Sequence, residues 1–403
     1  MDLPDYRDEI IEVMCKLIEI PAVNPAYGGG GEYERACWIA SFMKREGLEP
    51  EIYEVADELT PQKRRPSLLF KMDGKASNGP VLWLVAHLDT VSEGDRSLWS
   101  TDPFKAEVRD GRIIGRGAED NIQAIVSSLF TVLALKRTGR QPECNLGLCF
   151  PADEEAGSEY GLVRLINEGI FDPKDEAIVL DAGRPDGRFI EVAEKAVLWL
   201  RFFIKGKQAH ASSPHLGINA SAIGTHFGAD LDDLLKAKYG ARDYLFEPPY
   251  STFEITQKFD NVSSPNILPG TDSFVMDCRV LPKYPLGSVL GDIEHLISEY
   301  EFKTGAKIEY KVLQRADAVP PTPLDAPVVR KLMAAIEKRR GTPTIGGIGG
   351  STCAAFLRRI GMAAVVWSTL LGTAHSPNEY AAIDNVVADT QTLIDVVTAC
   401  AET

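Results

Sequence analysis

The chain has 403 residues, 44% of them hydrophobic and 25% charged, the make-up of an ordinary globular protein long enough for two domains. A formal net charge of -15 argues against a nucleic-acid partner, since phosphate binding calls for a basic face. No apolar run reaches membrane-spanning length, the polar start MDLPDYRDEI has no leader pattern, and the seven cysteines include no CxxC pair, so the expectation is a cytoplasmic protein with reduced thiols and no membrane partner.

Ile10, Ile11, Met14, Leu17 and Ile18 fall at helical spacing, and Pro21 and Pro25 end that run. Four glycines at 28–31 precede a second amphipathic stretch over 32–46. No GK[ST] follows them and no strand precedes them, so they are expected to form a flexible turn and not a phosphate loop. Apolar runs of strand length follow at 67–71, 81–86, 146–150 and 177–181, with helical stretches at 122–136 and 161–168. That alternation predicts an α/β fold with a mostly parallel sheet and helices on both faces. Asp110-Gly111, between short apolar pairs, reads as a hairpin turn.

From residue 190 the order changes to strand 196–204, helix 220–236, strands 251–259 and 272–281, helix 288–301 and strand 307–313. Such an order makes a ferredoxin-like α+β layer pair. Helix 327–339 and strand 362–367 then resume the first rhythm. The expected organisation is a catalytic α/β domain built from 1–189 and 315–403, interrupted by an inserted domain at 190–314.

The chemistry-bearing residues collect where predicted strands end. Strand 81–86 runs into His87-Leu88-Asp89, strand 146–150 leads to Asp153-Glu154-Glu155, and strand 177–181 ends at Asp181. The carboxyl edge of such a sheet is where sites are built. Acids and a histidine gathered there would repel one another unless cations neutralised them. Within the HxD pair, His87 would bind a metal through one ring nitrogen while the Asp89 carboxylate orients the ring through the other. Cys353 has no Cys-His-Asn company that would make it a nucleophile. His215, His226 and His295 also lack companions and are expected to be structural or surface residues.

The order IPAVNP, HLDTV, DPF with GRGAED, DEEAGS, AHASSPHLGINA, NILPG and AHSPNEY resembles, over essentially the whole chain, the di-zinc metallopeptidase and amidohydrolase family of acetylornithine deacetylase, succinyl-diaminopimelate desuccinylase, aminoacylase and glutamate carboxypeptidase. The resemblance implies two divalent metal ions, zinc first with cobalt or manganese as alternatives. His87 and Asp181 would hold one, Glu155 and His375 the other, and Asp120 would bridge them. Glu154 would be the general base acting on a bridging water, and a cis peptide would follow Asp120. His210 of the inserted domain would stabilise the developing oxyanion in the partner subunit of a homodimer. Asn266 and Arg279 would contact substrate, with the guanidinium gripping a carboxylate beside the cleaved bond. The stretch GGIGGSTCAAF, with Gly350 and Ser351, would form a glycine-rich loop against the substrate, although many relatives carry an aspartate near Cys353.

The implied activity is hydrolysis of the amide bond of a small N-acyl amino acid, nominally of the succinyl-diaminopimelate desuccinylase type. Acetylornithine deacetylase, aminoacylase, dipeptidase or carboxypeptidase action on the same machinery is the alternative. A catalytically silent interaction protein is the alternative from another class, and it would be expected to lose one of the five metal positions or Glu154.

Overall fold

A computed structural model describes residues 6–399. They divide into two compact units: one takes in the described residues up to Val192, Pro321–Ile345 and the described residues from Thr352, and the other is Ala193–Pro320 with Gly346–Ser351.

The first unit is built on an eight-stranded sheet in the order Glu51–Ala56, Arg64–Met72, Asn145–Phe150, Val81–Val85, Glu176–Val179, Ala363–Val366, Phe189–Glu194, Thr344–Ile348. Its four central strands are parallel, and antiparallel strands flank them, so the sheet is mixed around a parallel heart. The flank at Glu51–Ala56 and Arg64–Met72 is antiparallel because a short connection joins the two, whereas parallel neighbours need a long crossover. Asn145–Phe150 is buried at every position, as expected of a strand covered on both faces. On one face Trp83 and Val85 meet Leu162, Leu165, Ala354 and Leu357. Elsewhere, helix Gln123–Thr138 is buried from Gln123 through Leu135, packed among Arg7–Ile18 and Ile383–Thr398.

Three departures from the sequence reading have physical causes. Glycines 28–31 are not a flexible turn: Gly28, Gly29 and Gly31 donate their N–H groups to Pro25, Asn24 and Val23 carbonyls, and a Cβ on Gly29 would come within 1.9 Å of the Val23 oxygen. The glycine-rich stretch at 346–356 is a loop only in its middle, since strand Thr344–Ile348 enters it and helix Cys353–Arg359, capped by the Thr352 hydroxyl, leaves it. Phe189–Glu194 is a fully buried strand that its two glutamates disguise; Glu191 sits inside because Arg358 grips it with two 3.0 Å bonds.

Hairpin Glu107–Arg109 and Arg112–Ile114 turns at Asp110 and Gly111, both left-handed at φ 50° and 73°. Its second strand pairs with Tyr380–Ala382, which ties a distant C-terminal segment to the stretch before residue 120. The peptide between Asp120 and Asn121 is cis, in line with the family pattern.

The second unit is an antiparallel sheet in the order Thr252–Lys258, Thr271–Val280, Ala196–Lys205, Lys307–Ala316. Leu198, Leu200, Phe202 and Ile204 share its core with Phe227 and Leu231 of helix Ala220–Lys238 and Ile293 and Ile297 of helix Leu286–Thr304. Strand, helix, two strands, helix and strand in this spatial order is the ferredoxin-like arrangement. Among the described residues no helix is long and apolar enough to cross a membrane.

Trp83 anchors the strand that runs into His87. It is fully buried, lies edge-on to Phe171 at 5.0 Å between ring centroids, and donates its indole N–H to Asp175 at 3.0 Å. Trp83→Ala is expected to lower the unfolding free energy by about 3–5 kcal/mol in a denaturant titration, and a loss under about 1 kcal/mol would show the strand is anchored elsewhere.

Candidate metal centre

Val81–Val85 lies between Asn145–Phe150 and Glu176–Val179, parallel to both, so the three strands release their next residues at one edge. Those residues are His87, Asp153-Glu154-Glu155 and Asp181. Two loops complete the group with Asp120 and His375. Within it, His87 Nε2 stands 2.8 Å from one Asp120 oxygen and 3.5 Å from Asp181, while His375 Nε2 stands 3.0 Å from the other Asp120 oxygen and 3.2 Å from Glu155. Asp120 thus offers one oxygen to each of two ligand groups, His87–Asp120–Asp181 and Asp120–Glu155–His375, each with donor atoms within 4.8 Å of one another.

Electrostatics favours a cation here. Burial opposes charge on His87, but the carboxylates of Asp120, Asp181 and Asp89 outweigh it and hold the imidazole well above its ordinary range. Hydrogen bonds to Asp120 and Glu155 push His375 up to about 10. Burial raises Glu155, and it raises Glu154 well above the carboxylate range with the charge of Asp181 adding to it. Protons are drawn in because the charge at this edge is uncompensated, and a divalent ion answers the same need. Imidazole plus carboxylate is a donor set that suits zinc, cobalt or manganese.

The orientation of His87 differs from the expectation in its detail. Its Nδ1–H donates to the Asp89 main-chain carbonyl at 3.0 Å, which leaves Nε2 facing Asp120 and Asp181. The Asp89 carboxylate, 3.5 Å from that ring, is occupied with accepting the Glu154 and Glu155 N–H groups at 2.9 and 3.1 Å and the Asn24 amide at 2.7 Å. It therefore holds the turn that carries both glutamates. Fully buried Arg35 braces the same segment through the Leu88 carbonyl at 2.8 Å, and burial pulls its guanidinium down to about 10.

Behind the glutamates lies a second buried network that the sequence reading missed. Arg65 forks onto Glu32, and its other nitrogen bonds Asp153 at 2.6 Å. Glu32 also accepts the Asp153 N–H, and Asp153 takes a left-handed backbone at φ 65°. A non-glycine residue keeps that conformation only where its surroundings hold it, which these bonds do. Only an arginine close before the strand-like LLF run hinted at it.

The remaining predicted site residues belong to the second unit. His210 and Asn266 are neighbours there: Ala209–His210 pairs with Ile267–Leu268, Ala211 N–H donates to the Asn266 carbonyl, and His210 Nδ1 accepts from Ser212. Arg279 already grips a carboxylate, since its Nε and Nη2 bond Asp277 at 2.7 and 2.9 Å while Nη1 donates to the Gly349 carbonyl. Gly350 and Ser351 follow directly. Cys353 is buried, and burial together with the charges of Glu154 and Asp181 pushes its thiol well up, which disfavours the thiolate a nucleophile needs. His295 is exposed and pairs with Glu299 one helical turn away.

The profile of peptidase family M20/M25/M40 matches residues 83–399, and the chain belongs to this family. It is a metallohydrolase acting on amide or peptide bonds. An uncharacterized metallohydrolase of Methanococcus maripaludis is 40% identical over 412 residues, covering 96% of this chain and 98% of that protein. A succinyl-diaminopimelate desuccinylase of Rickettsia rickettsii is 25% identical over 393 residues, covering 96% and 97%. The aminopeptidase PepT of Bacillus cereus shares the fold at a TM-score of 0.76 with 17% identity, covering 97% and 98% of the two chains.

Removing Arg65 would leave Glu32 and Asp153 buried without their cation. Arg65→Ala is expected to cost about 3–5 kcal/mol of folding free energy, measured by urea denaturation, and an unchanged midpoint would show that the pair is dispensable.

Proposed function

We propose that the chain hydrolyses the amide bond of an N-acyl amino acid or short peptide at a centre of two divalent cations, with zinc the first candidate and cobalt or manganese the alternatives. The observation that carries this reading is Asp120, which presents one carboxylate oxygen to His87 and the other to His375. His87 and Asp181 would hold one ion, Glu155 and His375 the second, and Asp120 both. When bound, the two cations supply Lewis acidity that polarises the scissile carbonyl and acidifies water.

The chain's own groups do the rest. Glu154, fixed by its N–H on Asp89, takes the proton of the attacking water and returns it to the leaving nitrogen. Asp89 is a positioning residue in this scheme. His210 is assigned to the oxyanion, across a homodimer, and Asn266, Gly350 and Ser351 to the substrate. A substrate carboxylate on Arg279 would have to use the N–H groups that Asp277 and Gly349 leave over. The nominal substrate is a succinylated diamino acid, supported by the full-length likeness to the Rickettsia rickettsii enzyme.

Glu154→Ala is expected to retain both ions in elemental analysis while turnover falls by about 10²–10⁴-fold; hydrolysis at the unaltered rate would remove the base from the scheme. Glu155→Ala should instead lose an ion. Ninhydrin detection of released amine across N-succinyl, N-acetyl and dipeptide substrates assigns the specificity. Release from succinylated diamino acids alone supports the nominal substrate, and turnover of dipeptides alone overturns it.

A further inference from the structure

Two buried carboxylates in the first unit have no part in the scheme above. Glu119 and Glu379 are 1% and 0% exposed. A buried carboxylate is costly unless its charge is met by donors, so the donors show what each one is for. Those of Glu119 come from a single segment: the N–H groups of Leu371, Thr373 at 2.5 Å and Ala374 at 2.8 Å, with the Thr373 hydroxyl at 2.8 Å. His375 is the next residue, and its backbone is left-handed at φ 61°. Glu379 reaches in the opposite direction. It accepts the N–H groups of Gly117, Glu119 and Asp120 at 3.0, 3.0 and 2.9 Å and pairs with Arg116 at 2.5 Å. Each loop therefore carries a carboxylate that organises the backbone of the other, and the two loops carry Asp120 and His375.

The two halves of the site differ in how much else supports them. His87 follows a central strand and is braced through Asp89 and Arg35. Asp181 follows another strand and accepts the Asn121 amide at 3.1 Å. Glu155 is held by Asp89. The His375 side chain is 53% exposed, and outside the acids it faces, its position depends on the loop that Glu119 holds.

We propose that Glu119 is the positioning residue for the Glu155–His375 half of the centre, holding the 371–374 backbone so that His375 meets Asp120 and Glu155. This rests on the two-cation reading. Without the Glu119 carboxylate, the N–H groups of Leu371, Thr373 and Ala374 turn to water and His375 moves with them, while the His87–Asp181 half stays in place.

The test is a zinc titration of the full chain stripped by chelator, followed by calorimetry and elemental analysis. The unaltered chain should take up two ions. Glu119→Gln should bind one ion with unchanged affinity and the second about 10- to 100-fold more weakly, matching the pattern of His375→Ala. Thr373→Val, which removes one donor, should weaken the same ion by less, and it carries the test if Glu119→Gln fails to fold. Two ions at unaltered affinity in both variants, or a parallel weakening of both ions, would overturn the assignment. Fewer than two ions on the unaltered chain would overturn the two-cation reading itself, before any variant is compared.

Discussion

Uncompensated negative charge at one edge of the sheet is the constraint on which the site depends. Parallel strand order brings the ends of Val81–Val85, Asn145–Phe150 and Glu176–Val179 together, and each delivers an acid or an imidazole to the same place. Such an edge is stable only if every carboxylate has an assigned partner. The structure sorts them accordingly. Asp89, Glu32, Glu119 and Glu379 are met by backbone N–H groups, amides or arginines and serve as scaffold. Asp120, Glu155 and Asp181 face imidazoles and remain open to a cation. One residue type thus fills two roles, and the donor geometry decides which.

The division also explains the adjacent glutamates. Glu154 and Glu155 are held by the two oxygens of one aspartate through their N–H groups, so their side chains leave a common anchor and can take different tasks. The anchor is in turn tied through Asn24 to Asp153, which accepts from that amide at 3.1 Å. Arg65 stands behind the whole turn as its buried counter-charge.

Much of this was legible in the sequence, for reasons that particular residues make clear. Apolar runs at 81–86 and 146–150 announced central strands because both faces of those strands are buried. His87 and Asp181 were legible because they directly follow such runs. The ferredoxin-like unit was readable from alternation alone, since Leu198, Leu200, Phe202 and Ile204 mark its buried face. Phe189–Glu194 was hidden because Glu191 is neutralised by Arg358, 167 residues away, which no local pattern reveals. Arg65 and Glu32 escaped notice for the same reason. A second task of the Asp89 carboxylate, accepting the Glu154 and Glu155 N–H groups, was not legible because HxD spacing points only to the ring. Glu379 lay within a recognised motif, but only its histidine had an obvious chemical use.

Glu119 and Glu379 are 260 residues apart, and the whole second unit is translated between them. His87, Asp120, Glu155 and Asp181 therefore leave the ribosome long before His375. During that interval the loop of Asp120 lacks the carboxylate that orders its N–H groups, and the cluster lacks its second imidazole. The order of synthesis therefore keeps the Asp120–Glu155–His375 group incomplete until the C-terminal segment has been made and docks, whereas His87, Asp120 and Asp181 are all present well before it.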